Sequence, residues 1–300
     1  MPKRYSDEEE RPRTRRHRDD DGDDGHRRPR KPHKAKKRGP NVGLIVGGAV
    51  GGVILLAGVA ILIVILVRDK GGAAPPPADP YAAVLAHWSF DDATETRVPD
   101  RSPRGNHGAF NGGSFVPGKK GSALLLEGRP DQYVDVSQPK DLNFASGAEF
   151  TIAAWFRTRE KYAGTIVAFR NSHLPTQLDL YVRDNRVICI ASDDTALDGK
   201  HIWKWAPAPT ASDGQWHHAA FTRKAQFIEL FFDGVSQGQT ADGKAGGPIT
   251  TDMRAIGCNL KFVEDEENRF GRPGFRGAID EVYVLSRALS APEIQDLMRR

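Results

Sequence analysis

The sequence predicts an all-β domain, a two-sheet antiparallel sandwich, preceded by one transmembrane helix and a disordered charged tail. Three observations predict it: a charge-rich start, a long apolar stretch, and a remainder in which apolar and polar residues alternate over short segments. These changes divide the 300-residue chain into four parts. We expect a cytoplasmic tail (1–40), a transmembrane helix (41–68), a linker rich in glycine, alanine and proline (69–82) and one folded domain (83–300).

The basic surplus of the chain belongs to the tail. Residues 1–40 contain 15 Lys and Arg against 9 Asp and Glu, whereas residues 81–300 contain 26 against 28. The folded domain is therefore not expected to bind nucleic acid. The tail has no apolar periodicity, which predicts disorder, and its basic cluster beside the membrane is expected to contact anionic lipid.

The apolar stretch Val42–Val67 contains 26 residues without a charge. About 20 apolar residues span a bilayer, whereas the apolar region of a cleavable signal peptide has about 7–15. Eight basic residues lie in 27–38, before the stretch, and only Arg68 and Lys70 follow it up to residue 96. The positive-inside rule therefore predicts a single-pass protein of the cell membrane with a cytoplasmic N-terminus and an extracytoplasmic C-terminal domain.

Glycines recur every fourth residue in this stretch, at Gly43, Gly47 and Gly51. Small residues at this spacing let two helices approach closely, which predicts a homo-oligomer formed through the membrane. The alternative is that glycine is simply frequent in transmembrane helices.

The folded domain shows the period of two that is typical of strands. Phe150, Ile152 and Phe156, for example, alternate with the residues between them. Many short strands separated by Gly, Asp and Asn predict a sandwich or barrel, and Asp233-Gly234 is a strong hairpin signal. The predicted strands lie near 85–90, 123–127, 132–136, 150–158, 164–170, 177–183, 186–192, 201–206, 216–224, 227–233, 253–260 and 276–286.

A second turn signal, Asp184-Asn185, separates two further strand-like runs. The only helix predicted in the domain is the last one. Ser290 and Glu293 form a capping box before the apolar residues Ile294 and Leu297. We expect this helix to hold the end of the chain against the sandwich.

An ordered set of short motifs resembles a known family. The motifs are AHWSFDD (86–92), KGSALLLEG (120–128), YVDV (133–136), EFTIAAWFRT (149–158), GQWHHAAFTR (214–223), IELFFDGV (228–235) and FRGAIDEVYVLSRALSAPEI (275–294). Their succession is similar to the laminin-G-like jelly roll of the concanavalin A-like lectin/glucanase superfamily, over about residues 83–298. The resemblance implies two antiparallel sheets packed face to face, one of them concave. It does not assign a function, because this fold serves lectins, adhesion modules, spacers and glycosidases.

The resemblance also implies a structural calcium ion, which hard oxygen ligands would bind. On the positions that match the family's motifs, Asp100 and Asn106 would meet Asp280. The alternative is that Asp100 and Asp280 only bind backbone N–H groups in turns.

Catalysis is not expected from the motifs. A glycosidase needs two facing carboxylates, and the Glu-x-Asp-x-x-Glu pattern of the family's glucanase branch is missing from the sequence. The acidic run 264–267 is predicted to be a solvated loop, and the adjacent Asp280 and Glu281 would point to opposite faces of a strand. His217 and His218 have no recognisable nucleophile nearby in the sequence, and we expect one to be packed and the other exposed.

For ligand binding, the notable segment is HIWKWAP, where Trp203 and Trp205 are two residues apart and share one face of a strand. Paired indole rings offer a flat apolar platform for sugar rings. Trp155 is expected to join them, with Arg157, Arg170 and Arg183 bonding hydroxyl or carboxylate groups. The alternative is that these aromatic residues belong to the core.

The two cysteines, Cys189 and Cys258, both fall in predicted strands. Outside the membrane they can form a disulfide if their Cα atoms lie within about 7 Å, and two buried thiols are the alternative.

These observations favour a non-catalytic, membrane-anchored binding or adhesion module that recognises a glycan or a protein. The alternatives are a structural spacer that forms oligomers, and a glycoside hydrolase of the same fold. The first predicts exposed Trp203 and Trp205, the second buried tryptophans, and the third two facing carboxylates in a groove.

Overall fold

A computed structural model describes residues 80–138, 141–206, 210–262 and 274–300. The predicted tail, the transmembrane helix with its glycines, and the acidic run 264–267 lie outside these residues. Within the described ranges, no helix is both long enough and apolar enough to cross a membrane.

The described chain forms sixteen strands and one α-helix, with short 3-10 helices at Pro80–Ala83 and Leu260–Phe262. The elements are β1 (Val84–Trp88), β2 (Arg97–Val98), β3 (Gly108–Asn111), β4 (Ser114–Pro117), β5 (Ser122–Glu127), β6 (Tyr133–Asp135), β7 (Phe150–Arg157), β8 (Gly164–Arg170), β9 (Gln177–Arg183), β10 (Arg186–Ser192), β11 (Ile202–Trp205), β12 (Trp216–Lys224), β13 (Phe227–Phe232), β14 (Val235–Thr240), β15 (Met253–Ile256), β16 (Arg276–Leu285) and α1 (Ala291–Arg299).

The strands form two eight-stranded antiparallel sheets. Sheet 1 has the order β14-β13-β12-β7-β16-β5-β4, and β1 also pairs with β16. Sheet 2 has the order β11-β10-β9-β8-β15-β6-β3-β2. The all-β sandwich predicted from the alternating pattern is therefore confirmed.

The main core lies between the two sheets. Alternate residues of each strand point into it, among them Phe156 and Phe221 from sheet 1 and Phe169 and Leu180 from sheet 2, all completely buried. The alternation that predicted the strands is thus the alternation between this core and the outer faces.

The outer face of sheet 1 is covered by α1. Ile294 and Leu297 of the helix are buried in a second, smaller apolar cluster with Ala153, Ala220 and Phe231. Glu293 accepts a hydrogen bond from the backbone N–H of Ser290 at 2.8 Å, which forms the predicted capping box. No α-helix of the described residues packs on the outer face of sheet 2, where the short 3-10 helix Leu260–Phe262 contacts β8 and β15.

Both predicted hairpin turns are present. Asp184 and Asn185 connect β9 to β10 with φ angles of 53° and 59°, and Asp233 and Gly234 connect β13 to β14 with φ angles of 48° and 75°. Two consecutive residues with positive φ match the right-handed twist of the strands, which explains why these residue pairs occur here.

Candidate functional site

Trp203 and Trp205 lie on the outer face of sheet 2, the face that points away from the main core. Their strand, β11, is at the edge of the sheet, and its register places Trp203 opposite Ile190 and Trp205 opposite Ile188. Trp205 is 53% exposed, and Trp203 is partly exposed. This placement agrees with the prediction that the two indoles share one face of a strand.

A pocket of about 210 Å³ lies beside Trp203. Four segments contribute to it: the end of β8, the start of β9, the β10–β11 pair and the chain after β15. Its lining residues are Arg170, Pro175, Gln177, Ile190, His201, Trp203 and Lys261. The pocket combines an aromatic wall with several polar groups, which is the usual composition of a small-ligand site.

The wall of this pocket rests on a buried ion pair. The Arg170 guanidinium donates hydrogen bonds to the side chains of Asp179 and Gln177 on the neighbouring strand. Burial raises the pKa of Asp179 to about 6, and the charge of Arg170 opposes that rise. At neutral pH the carboxylate is therefore mainly ionised, and it holds the guanidinium in one orientation.

Two further polar groups in the pocket have different charges. Burial, together with the charge of Arg170, lowers the pKa of His201, so its imidazole is neutral at pH 7. The Nδ1 atom of His201 is buried and has no hydrogen-bond partner among the described residues. The Lys261 ammonium donates to the carbonyl oxygens of Asn171 and Leu174 at 2.7 and 3.0 Å, which fixes its position.

A second, shallower pocket of about 470 Å³ lies beside Trp205. It is lined by Lys161, Arg183, Asp184, Asn185, Arg186, Ile188 and Trp205. The Asp184-Asn185 turn forms one of its walls. Because Trp203 and Trp205 are two residues apart on one strand, the pockets follow each other at about 7 Å along β11. We call the two pockets together the tryptophan groove.

Trp155 does not join this groove, so that prediction is wrong. Its strand, β7, belongs to sheet 1, and Trp155 is only 6% exposed, with the Lys119 ammonium 4.3 Å from its ring centroid. Arg157 lies on the same strand, with its guanidinium 4.9 Å from the Trp216 ring centroid. The alternation of residues within a strand predicts which of them share a face. It does not predict to which sheet the strand belongs.

The carboxylate of Asp100 holds a turn. Its oxygens accept hydrogen bonds from the backbone N–H groups of His87, Ser102 and Asn106 at 2.7–2.8 Å and from the Ser102 hydroxyl at 2.6 Å. The side-chain amide of Asn106 donates to the carbonyl oxygen of Leu85. Both residues are therefore occupied by protein donors and acceptors.

The carboxylate of Asp280 bonds a different part of the backbone. Its oxygens accept hydrogen bonds from the backbone N–H groups of Lys120 at 3.0 Å and Glu281 at 2.8 Å. No group of three His, Cys, Asp or Glu side chains that could hold a metal ion occurs in the described residues. The carboxylates of Asp100 and Asp280 thus bond backbone N–H groups, as the turn-capping alternative expects, and calcium binding by Asp100, Asn106 and Asp280 stays a prediction.

The predicted disulfide is also contradicted, because Cys189 and Cys258 are both free and buried. Cys189 lies on β10, whereas Cys258 follows β15, and β9 and β8 separate those two strands. Three strand spacings correspond to about 14 Å, twice the Cα separation that a disulfide allows. Burial raises the pKa of both thiols to about 12, so they remain protonated.

Both histidines of the His217–His218 pair are buried, which corrects the expectation that one is exposed. The His217 ring bonds the carboxylates of Asp233 at 2.8 Å and Asp213 at 3.0 Å. Burial lowers the pKa of His218 to about 3, so it is neutral, and its ring lies edge-on to Trp155. These contacts join strands and turns of sheet 1, on the opposite side of the domain from the tryptophan groove.

The polar residues that sequence reasoning missed in the groove are Gln177, His201 and Lys261 in the first pocket, and Lys161 and Arg186 in the second. They are far apart in the chain, and each has an ordinary polar side chain without a motif. Among them, only Gln177 has a sequence signal, because it lies two residues before Asp179 on a predicted strand.

Several solved structures have the same fold. The binding domain of Paraclostridial Mosquitocidal Protein 1 is 17% identical, with a TM-score of 0.57, over 73% of this chain and 52% of that one. Domain 4 of AbnA, an extracellular arabinanase from Geobacillus stearothermophilus, was solved with arabinotriose. It is 21% identical, with a TM-score of 0.50, over 72% of this chain and 98% of that one. The ligand-binding domain of botulinum neurotoxin serotype D, solved with N-acetylneuraminic acid, is 11% identical, with a TM-score of 0.53, over 74% of this chain and 52% of that one.

At these identities the likeness shows the fold alone, and this chain spans about half the length of the first of these structures. No curated protein matches the chain. The model of the Laminin_G_3 family, described as concanavalin A-like lectin/glucanases superfamily, matches residues 127–295, which is more than half of the chain. The chain therefore belongs to the Laminin_G_3 family of the concanavalin A-like lectin/glucanases superfamily.

Proposed function

We propose that this protein is a membrane-anchored, extracytoplasmic binding module that recognises a glycan through the tryptophan groove. The observation on which the proposal depends is that Trp203 and Trp205 lie side by side on the outer face of sheet 2, each beside its own pocket. A flat indole ring packs well against the C–H face of a sugar, and surrounding polar groups then bond the hydroxyls.

The exposure of the tryptophans favours this function over the structural spacer. A spacer has no need for a large exposed aromatic ring, and Trp205 is more than half exposed. Burial of an exposed aromatic ring on ligand binding is favourable, and such rings are common anchors in binding sites.

The position of the carboxylates favours binding over glycoside hydrolysis. On the outer face of sheet 2, Asp135 and Asp179 lie in one cross-strand row, with Ala255 and Ala168 between them. Three strand spacings separate their Cα atoms by about 14 Å, whereas the paired carboxyl groups of glycosidases are about 5–9.5 Å apart. Asp179 is in addition bonded to Arg170.

The solved structures with this fold support a binding role. They are binding domains of toxins and a domain of an arabinanase, and two were solved with arabinotriose and with N-acetylneuraminic acid, respectively. The apolar stretch 42–67 and the basic residues that precede it support the membrane anchor and the extracytoplasmic position of the domain.

A glycan array tests the proposal. The purified full-length chain in detergent is compared with the variants Trp203→Ala and Trp205→Ala, and with Trp216→Ala as a control that removes a partly exposed tryptophan from sheet 1. We expect the wild type and the control to bind the same glycans and both groove variants to lose at least tenfold in affinity, which corresponds to about 1.4 kcal/mol.

The fold of each variant is checked by its thermal unfolding. Absence of glycan binding by the folded wild type would refute the proposal and favour a protein ligand or a spacer. Equal losses in Trp216→Ala and the groove variants would refute the placement of the site.

A further inference from the structure

We infer that the glycan is anionic and that it occupies both pockets of the tryptophan groove. This inference rests on the proposed glycan-binding function and adds the class of the ligand. It follows from the distribution of charge around Trp203 and Trp205, which differs from that of the rest of the domain.

In the first pocket, Lys261 provides a positive charge that its hydrogen bonds hold in place. Its ammonium bonds two carbonyl oxygens, and no carboxylate of the described residues lies within 4 Å of it. Arg170, by contrast, is balanced by Asp179. A carboxylate or sulfate on a sugar next to Trp203 would lie beside an ammonium that the protein already holds in place.

The second pocket has a larger surplus. Lys161 and Arg183 both lie near the carboxylate of Asp184, at 3.7 and 3.8 Å. Arg186, which also lines the pocket, has no carboxylate of the described chain within salt-bridge distance. Guanidinium groups bind carboxylate and sulfate oxygens in a bidentate manner, so Arg183 and Arg186 suit such a group better than a neutral hydroxyl.

This surplus is local to the groove. Among the residues that the structure describes, five cations and two carboxylates line the pockets or bond directly to their lining. Residues 81–300 as a whole contain 26 Lys and Arg against 28 Asp and Glu. A positive groove on a slightly acidic domain concentrates anions at that place, and the effect weakens as salt screens it.

The spacing of the pockets indicates a chain of sugars. Trp203 and Trp205 are about 7 Å apart along β11, so one ring on each indole requires at least two linked sugars. Charges in both pockets then suit an oligosaccharide that has an acidic group on more than one sugar.

Matched pairs of glycans test this inference on the full-length chain in detergent. The pairs are the tetramers of α-1,4-linked galactose and galacturonic acid, and the neutral methyl ester of 3′-sialyllactose with 3′-sialyllactose itself. Dissociation constants are measured at low and high salt for the wild type and Arg186→Gln. Lys224→Gln is the control, because Lys224 is an exposed cation at the end of β12 in sheet 1.

We expect the acidic member of at least one pair to bind about tenfold more tightly than its neutral partner, with an affinity that falls with salt. Arg186→Gln should abolish most of that difference, and Lys224→Gln should preserve it. Equal binding of neutral and acidic members, or a preference that Arg186→Gln leaves unchanged, would overturn the inference while the glycan-binding function stands. Binding to no member of any pair, together with an empty array, would overturn both.

Discussion

His217 is the residue of sheet 1 whose charge most directly affects stability. Its ring bonds Asp233 and Asp213, and these carboxylates raise its pKa above the usual value of about 6.5. A histidine with a raised pKa stabilises the folded state fully below about pH 6.5, and this contribution is lost as the pH rises through the raised pKa. The charged form therefore joins the start of β12 to the two turns that hold the carboxylates.

We predict that His217→Gln costs more stability at about pH 6 than at about pH 8.5, since only the charged ring bonds both carboxylates as a donor. The free energy of unfolding of the two proteins, measured with urea at both pH values, checks this. His173→Gln, at an exposed histidine, is the control and should show no such difference. A cost for His217→Gln that is independent of pH would contradict the account.

At the residue scale, the sequence predicted part of the groove. The spacing of Trp203 and Trp205 was enough to place both on one face, because side chains two apart on a strand always share a face. The sheet to which Trp155 belongs, and the positions of His201 and Lys261, depend on how distant segments meet. Three contacts decide them: β11 with β10, β7 with β12, and the chain after β15 with the turn before β9.

Among the elements, the twelve predicted strands all correspond to observed ones. The strands that were missed are β2, β3, β4 and β14, of two to six residues, and all four lie at or next to a sheet edge. They are short, and β14 is mostly exposed on both faces, so no alternation of apolar and polar residues marks them. The turn signals at Asp184-Asn185 and Asp233-Gly234 succeeded because positive φ restricts which residues are favourable there.

The turn between β13 and β14 also contacts the helix. Gly234 has a φ of 75°, and a Cβ atom at that position would lie 2.8 Å from the Cγ of Gln295 and 3.0 Å from the Sδ of Met298 on α1. We predict that Gly234→Ala lowers the free energy of unfolding by about 1–2 kcal/mol from backbone strain, with a further loss from the displaced helix.

Gly199→Ala is the matched control for that prediction. Gly199 has nearly the same φ, 73°, but a Cβ there would meet nothing within 4 Å. Urea unfolding of both variants therefore separates backbone strain from the helix contact. Equal losses in the two variants would show that the contact with α1 contributes nothing.

At the scale of the whole molecule, the two sheets have different surroundings. Sheet 1 is covered by α1 on its outer face, whereas the outer face of sheet 2 presents the tryptophan groove. The sequence predicted the sandwich and the final helix but not which sheet the helix covers. That depends on the packing of Ile294 and Leu297 on residues from five strands and the chain after β16.

The proposed orientation in the membrane gives another prediction. Protease added to sealed, right-side-out vesicles that contain the full-length chain should digest the domain 83–300 and leave the tail 1–40 protected. Inside-out vesicles, as the control, should give the reverse, and immunodetection of tags at the two ends reads out both. Digestion of the tail in right-side-out vesicles would contradict the orientation that the basic residues predict.

The most direct test of the central claim is an NMR titration that observes the indole N–H signals of the five tryptophans. The protein is labelled at the indole nitrogens, the signals are assigned with single variants, and the glycan that binds best on the array is added. The account predicts that the signals of Trp203 and Trp205 shift with saturation, while those of Trp88, Trp155 and Trp216 remain unchanged. Shifts confined to Trp155 or Trp216 would instead place the binding site on sheet 1 and contradict the claim.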